Sequence, residues 1–209
     1  MSDDIRGPVI SAIAGFLAVL VGTAVVPWVR EYFSRRQAAR YLAIRMVCIL
    51  DKYVDDCAAV TSDWGSENQE GFSEPQVSLP PMPSYPKDVN WHSIEYSLMY
   101  DILSLPTAAD KARSIVSGAS EFADPPDYQS FFETRTRQFA ALGLKAFELT
   151  KRLRKRYHIP DIDRTDWDSV GHINEQLQKL KEIEERRKVS WELPFQSIPE
   201  PRPDIAIKE

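Results

Sequence analysis

RYLAIRMVCILDKYVDDCAAV, residues 40–60, is the stretch whose reading decides the fold. Leu42, Met46, Ile49, Tyr53, Cys57 and Val60 are spaced 4, 3, 4, 4 and 3, the repeat of one helix face rather than the alternation of a strand. Tyr41, Ile44 and Cys48 widen that stripe, which predicts a broadly buried helix and not a narrow coiled-coil seam. The expected helix runs from about Ser34 to Val60, with Asp51 and Asp55 on its outer face. Cys48 and Cys57 point to opposite sides of such a helix, so they cannot bridge each other there.

Upstream lies GPVISAIAGFLAVLVGTAVVPWV, Gly7–Val29, 23 residues without a charge. As a helix it would span roughly 35 Å, enough to cross a hydrocarbon core of about 30 Å with some tilt. Trp28 and Tyr32 stand where amphipathic rings meet headgroups. A cleaved signal peptide is the rival reading, with Gly22-Thr23-Ala24 as its cleavage site. MSDDIR ahead of the run is acidic and the run is long for that role, so an uncleaved anchor is expected. Arg6 alone precedes the span, whereas Arg30, Arg35, Arg36, Arg40 and Arg45 follow it. The positive-inside rule then predicts a single-pass protein of a bacterial inner membrane, N-terminus outside and the remaining chain cytoplasmic. Ala14, Ala18 and Gly22 fall at i, i+4 and i+8, spacing that lets two anchors approach closely.

Downstream, Ser62–Asn90 turns to Gly, Ser, acids and five prolines. LPPMPSYP (79–86) reads as polyproline II with PxxP spacing. It is either a docking strap for an aromatic groove or, the reading preferred here, an extended connection pinned by Leu79, Met82 and Tyr85. Asn90 is an expected N-cap for a short helix with Ile94, Leu98, Ile102 and Leu105 on one face, which Pro106 stops. Thr107-x-x-Asp110 then opens another helix, to about Ala123. A long helix, about Asp127 to Tyr157, turns Phe132, Phe139, Leu142, Ala146, Leu149 and Leu153 inward. Gly143 inside it calls for a close helix crossing. A last helix, about Asp168 to Val189, carries Val170, Ile173, Leu177 and Leu180 until its stripe turns polar at Glu184. No strand pattern competes.

The expected architecture is therefore all-α: one N-terminal transmembrane helix, then a cytoplasmic antiparallel bundle of about four to five helices. Its parts are a short segment 1–6, the span 7–29, a basic juxtamembrane segment 30–40, a helical domain 41–190 with the Pro-rich strap 62–90, and a Pro-rich tail 191–209.

Net charge is −5 but strongly segregated. Arg30–Arg45 is net +4, Asp51–Glu74 net −6 and Glu133–Arg156 net +6. An acidic chain whose basic clusters hold few stacking aromatics argues against nucleic acid. Arg30, Arg35, Arg36 and Arg40, together with Lys151, Arg152, Arg154, Lys155 and Arg156, are the candidate contacts to a membrane surface or a partner. For the second cluster the helix dipole alone is a sufficient reason, and the acidic segment is another candidate partner.

Chemistry is hard to find. His92, His158 and His172 lack the Glu-x-x-His pattern of di-iron bundles, and Asp168 and His172 read as a solvated i, i+4 pair. No CxxC, HExxH or Gly-rich phosphate loop occurs, so no catalytic, metal or cofactor residue is assigned. The expectation is a membrane-tethered helical interaction or scaffold module, with anionic lipid, a protein partner or a second copy as binding candidates. The alternative is a lipid- or small-ligand-binding bundle with a pocket lined by Phe131, Phe132, Phe139 and Phe147; an enzyme is the weakest reading.

Overall fold

The computed structural model describes residues 21–69, 71–123, 128–161 and 168–192, with backbone alone for 21, 24 and 190–192. Four α-helices account for most of them: α1 (Val26–Thr61), α2 (Tyr96–Glu121), α3 (Gln129–Tyr157) and α4 (Ser169–Glu192). Among the described residues the fold is all-α apart from a hairpin of two-residue strands, β1 (Ser66–Glu67) and β2 (Ser73–Glu74). Strands that short leave no period-2 pattern, so the sequence gives no hint of them.

A π turn, Val21–Val25, leads directly into α1, which then runs unbroken through the Arg-rich segment. The wider turn lies just ahead of Pro27, whose ring crowds the preceding turn; local π geometry is a usual adjustment. Helix is therefore continuous through Ser34 from the preceding stretch, as a sequence with no helix breaker between Arg30 and Arg40 allows. Most of Gly7–Val29, with Ala14 and Ala18, lies outside the described residues. Among the described residues no helix is long and apolar enough to cross a membrane.

The chain forms two compact units, each drawn from three separated stretches. The first takes its residues from Met1–Tyr53, Met82–Ala109 and Lys145–Asp163. Leu42, Met46 and Leu50 of α1, Leu98, Ile102 and Leu105 of α2, and Ala146, Leu149 and Leu153 of α3 are buried in it. Each large side chain there contributes about 1.5–3 kcal/mol relative to exposure. Tyr41, Ile44 and Cys48 do not widen the buried stripe: they are exposed, and Ala39, Ala43, Val47 and Leu50 widen it on the other flank. Small alanines beside the stripe allow closer neighbours than Tyr41 would.

Asp51 is likewise not on an outer face. It is buried and takes the Arg154 guanidinium in two hydrogen bonds, 2.5 and 3.3 Å. Asn90 does cap a turn, but the turn is a 3-10 helix, Trp91–Ser93, and its side chain accepts from the His92 amide at 3.1 Å.

Pro106 does not stop a helix; α2 passes through it. Proline has no N–H for the carbonyl four residues back, that of Ile102. The Tyr85 hydroxyl donates to that carbonyl at 2.9 Å, so the strap supplies the bond that the proline withholds. With α2 continuous, Thr107 and Asp110 lie inside a helix and form no capping box. Burial pushes the Tyr85 phenol well above the usual tyrosine range, which keeps it a donor. Met82, expected as a pin, is exposed, while Pro83 is buried. Asp88 ties this part of the strap to Arg45 through two 3.2 Å contacts.

The second unit takes its residues from Val54–Pro81, Asp110–Leu144 and Arg164–Glu209. Its buried side chains include Cys57 and Val60, Ala112 and Val116, Phe132, Phe139 and Leu142, and Ile173 and Leu180. Gly143 sits at the close crossing that its presence demanded: a Cβ there would lie 2.8 Å from Ile173 Cδ1 and 3.0 Å from Cys57 Cβ. Gly65, at φ +79°, lies so close over the Phe132 ring that a Cβ would overlap it. Asp63 is the polar centre. It accepts from the amides of Gly65 (3.0 Å) and Val77 (2.8 Å) and pairs at 2.8 Å with Arg135, both side chains almost fully buried. Arg135 also donates to the Val77 carbonyl, and Arg113 to those of Leu79 and Pro80. The strap's backbone is thus held by two arginines of the helices. Asp168 caps α4, its side chain accepting from Gly171 N at 3.0 Å and its carbonyl from His172 N at 2.9 Å.

Candidate functional site

Helix α1 presents Arg36 and Arg40 four residues apart on one face, with Arg35 alongside and the aromatic Tyr32 and Phe33 one turn earlier. The chain beginning at Ser93 and ending at Glu95, and the end of α3, complete a groove of about 720 Å3 in the first unit. From α3 come Arg156, Tyr157 and His158. The two basic clusters therefore converge: Arg35, Arg36 and Arg40 of the first and Arg156 of the second line one groove, opposed by the single carboxylate Glu95.

The end of α3 is shaped by His158, which stands in the left-handed region at φ +53°. The Ile159 amide donates back to the Arg154 carbonyl at 3.1 Å, the outer bond of a Schellman motif. Glycine is the usual residue at that position, and a Cβ there costs about 1 kcal/mol or more. The bend brings His158 into the lining of the groove.

Electrostatically the groove is unbalanced. Arg35 is engaged by Glu31 at 2.6 Å, an exposed i, i+4 pair worth only a few tenths of a kcal/mol. Arg36 lies over the Tyr32 ring at 6.0 Å and Arg156 over Tyr157 at 5.9 Å. Among the described residues no carboxylate pairs with Arg36, Arg40 or Arg156. Arg36 and Arg156 are thus held beside rings, and guanidinium groups with donors unspent on carboxylates have the chemistry that pairs with anions.

A neighbouring groove of about 520 Å3 contrasts with it. Lys151, Arg152, Arg154 and Lys155 line that one, interleaved with Glu148 and Asp161. Lys151 meets Glu148 at 3.3 Å, and Arg152 meets Asp101 at 2.5 Å. Arg154 is buried between Asp51 and Asp161. Arg154 is thus a structural ion pair and leaves the list of surface contacts, and Arg152 is largely committed too. Lys151, Lys155 and Arg156 are the exposed members of that cluster, Lys151 in its pair with Glu148. Arg30 is exposed on α1 but lies outside both linings.

Of the small-residue stripe only Gly22 is described; it is exposed, and an added Cβ there would meet nothing within 4 Å. Tyr157, His158 and Glu95 are among the groove residues that sequence reading did not assign. The sequence signal for them is slight: Ile159-Pro160 marks where α3 must end, but not that a histidine takes the glycine position. Phe132 and Phe139 are core, and Phe131 meets Phe132 edge-on at 5.0 Å; none of the four phenylalanines lines either groove. Among the described residues no group of three His, Cys, Asp or Glu is placed to hold a metal ion. Ser62 Oγ meets His172 Nε2, but the same hydroxyl donates to the Ala58 carbonyl, and His172 Nδ1 is 3.7 Å from Glu175. Ser62, His172 and Glu175 thus form a partly exposed polar cluster outside both grooves, with the imidazole in hydrogen-bond reach of the hydroxyl.

No family, no curated protein and no solved structure matches this chain.

Proposed function

We propose that the chain is a membrane-tethered helical interaction module, anchored by Gly7–Val29 with its N-terminus outside and its helical units on the cytoplasmic side. The observation that carries the reading is the convergence of Arg35, Arg36, Arg40 and Arg156 in one groove on the helix that continues the apolar stretch. A surface next to an anionic leaflet gains about 1 kcal/mol for each such cation, screened within roughly 8–10 Å at physiological salt. The polyproline strap supports a structural rather than a receptor-binding role, since Pro80 and Pro83, three apart on one face, are both buried.

The test uses the full chain in cells. Alkaline carbonate should leave it in the membrane pellet, and a reporter fused after Glu209 should be active only if it is of a type that works in the cytoplasm. A chain extracted by carbonate, or recovered beginning near Val25, ends the anchor reading. An active periplasmic reporter ends the orientation.

A further inference from the structure

Resting on that reading, we propose that the groove between α1 and the end of α3 holds the headgroup of one anionic glycerophospholipid. The phosphodiester would be gripped by the guanidinium groups of Arg36, Arg40 and Arg156. Three observations meet here. First, the volume of about 720 Å3 suits a headgroup and not a whole lipid, within the usual range of small-ligand sites. Second, Arg36, Arg40 and Arg156 reach the groove from two helices without a carboxylate partner among the described residues, and the planar guanidinium matches two phosphate oxygens at once. Third, the groove continues into an apolar ladder. Tyr32 and Phe33 are exposed at its edge, Trp28 stacks on Tyr32 with centroids 6.2 Å apart, and Val29, Val26 and Val25 follow, all exposed.

That ladder decides between two sources of the same chemistry. A free phosphate needs cations alone. A lipid needs cations at one end and an apolar track toward the bilayer at the other, which this helix provides. Glu95, whose Oε1 accepts from Ser97 Oγ at 2.7 Å, also lines the groove, where its charge would repel a second anion and its other oxygen accept a hydrogen bond from a headgroup hydroxyl, such as that of glycerol.

The experiment is native mass spectrometry of the full chain released from neutral detergent, titrated with phosphatidylglycerol, phosphatidylcholine or inorganic phosphate. One phosphatidylglycerol per chain should be retained, about tenfold or more above phosphatidylcholine, and inorganic phosphate should neither bind nor displace it at similar concentration. Arg36→Gln/Arg40→Gln/Arg156→Gln should lower retention about tenfold or more, in line with three cations near one phosphate. The charge-preserving Arg36→Lys/Arg40→Lys/Arg156→Lys should still lose severalfold, since Lys lacks the fork. Lys151→Gln/Lys155→Gln, in the neighbouring groove, should change retention less than twofold.

Equal loss in the Lys151/Lys155 variant, or no loss in the Lys-for-Arg variant, overturns the headgroup site in favour of diffuse attraction. Phosphate binding as strong as the lipid's overturns it in favour of a free-anion site. Helicity by circular dichroism guards against misfolding, and these arginines are exposed. Alkaline extraction reports the anchor independently, so a protein that stays in the pellet but ignores phosphatidylglycerol sinks only the headgroup site.

Discussion

At Gly143 a single methyl group is enough to disturb the second unit. Alanine would gain about 1 kcal/mol of helix propensity, but its Cβ must be accommodated 3.0 Å from Cys57 Cβ as well as against the Ile173 methyl. We expect Gly143→Ala to lower stability by about 1–2 kcal/mol in denaturant titrations of the full chain in neutral detergent. Ile173→Val, which removes the δ-methyl, should cost less in that background than alone; an additive pair would refute the clash. That glycine was readable from the sequence, because a residue that weakens a long helix needs a steric reason. Asp63 and Arg135 were not readable as a pair, since neither position breaks a period and their partnership exists only once the strap folds back. Burial raises the Asp63 carboxyl, but the amides of Val77, Gly65 and Gln76 and the Arg135 side chain outweigh it and hold it below the usual aspartate range. The unfolded chain therefore binds more protons in acid. The Asp63 contribution is complete above the unfolded value near 3.9 and is lost as pH falls through the lower folded one. Arg135→Gln leaves a buried carboxylate without its cation and should cost about 3–5 kcal/mol at neutral pH. A loss under 1 kcal/mol would show that the backbone donors suffice.

Elements were legible where they bury an uninterrupted stripe, as in α3, and illegible where tertiary contacts override local grammar. Pro106 is the clearest case. Local rules end a helix near it, and the structure continues because Tyr85 bonds the carbonyl that proline leaves unmatched. Tyr85→Phe should then cost about 1–3 kcal/mol, the range for an unsatisfied buried acceptor. In a Pro106→Ala background the helix can supply its own N–H to Ile102, so the same substitution should cost clearly less. The alkaline limb gives a second readout. Folding raises the Tyr85 phenol, so above the unfolded value near 10 the unfolded chain binds fewer protons and stability falls as pH rises. Tyr85→Phe should flatten that fall; an unchanged slope above pH 10 would assign it to other groups. The groove shows the same limit: its arginines stood out as clusters, but that Arg156 joins α1 while Arg154 turns inward to Asp51 depends on rotation about α3, which charge counting ignores.

Across the whole molecule, the two units differ in what substitution should do. Phe139→Asp buries an unpaired charge in the second unit and should abolish cooperative unfolding, since its cost is comparable to a total stability of about 5–15 kcal/mol. Arg36→Gln and Arg40→Gln, exposed on the first, should leave the thermal midpoint within a degree or two while altering lipid retention. The interleaving of the units also bears on synthesis. Each unit waits for stretches that leave the ribosome late: the first needs the end of α3, and the second needs α4. At roughly 5–20 residues per second, the nascent chain spends several seconds with α1 exposed and its apolar stripe uncovered. An anchor that engages the bilayer during that interval would hold the unfinished domain apart from other nascent chains.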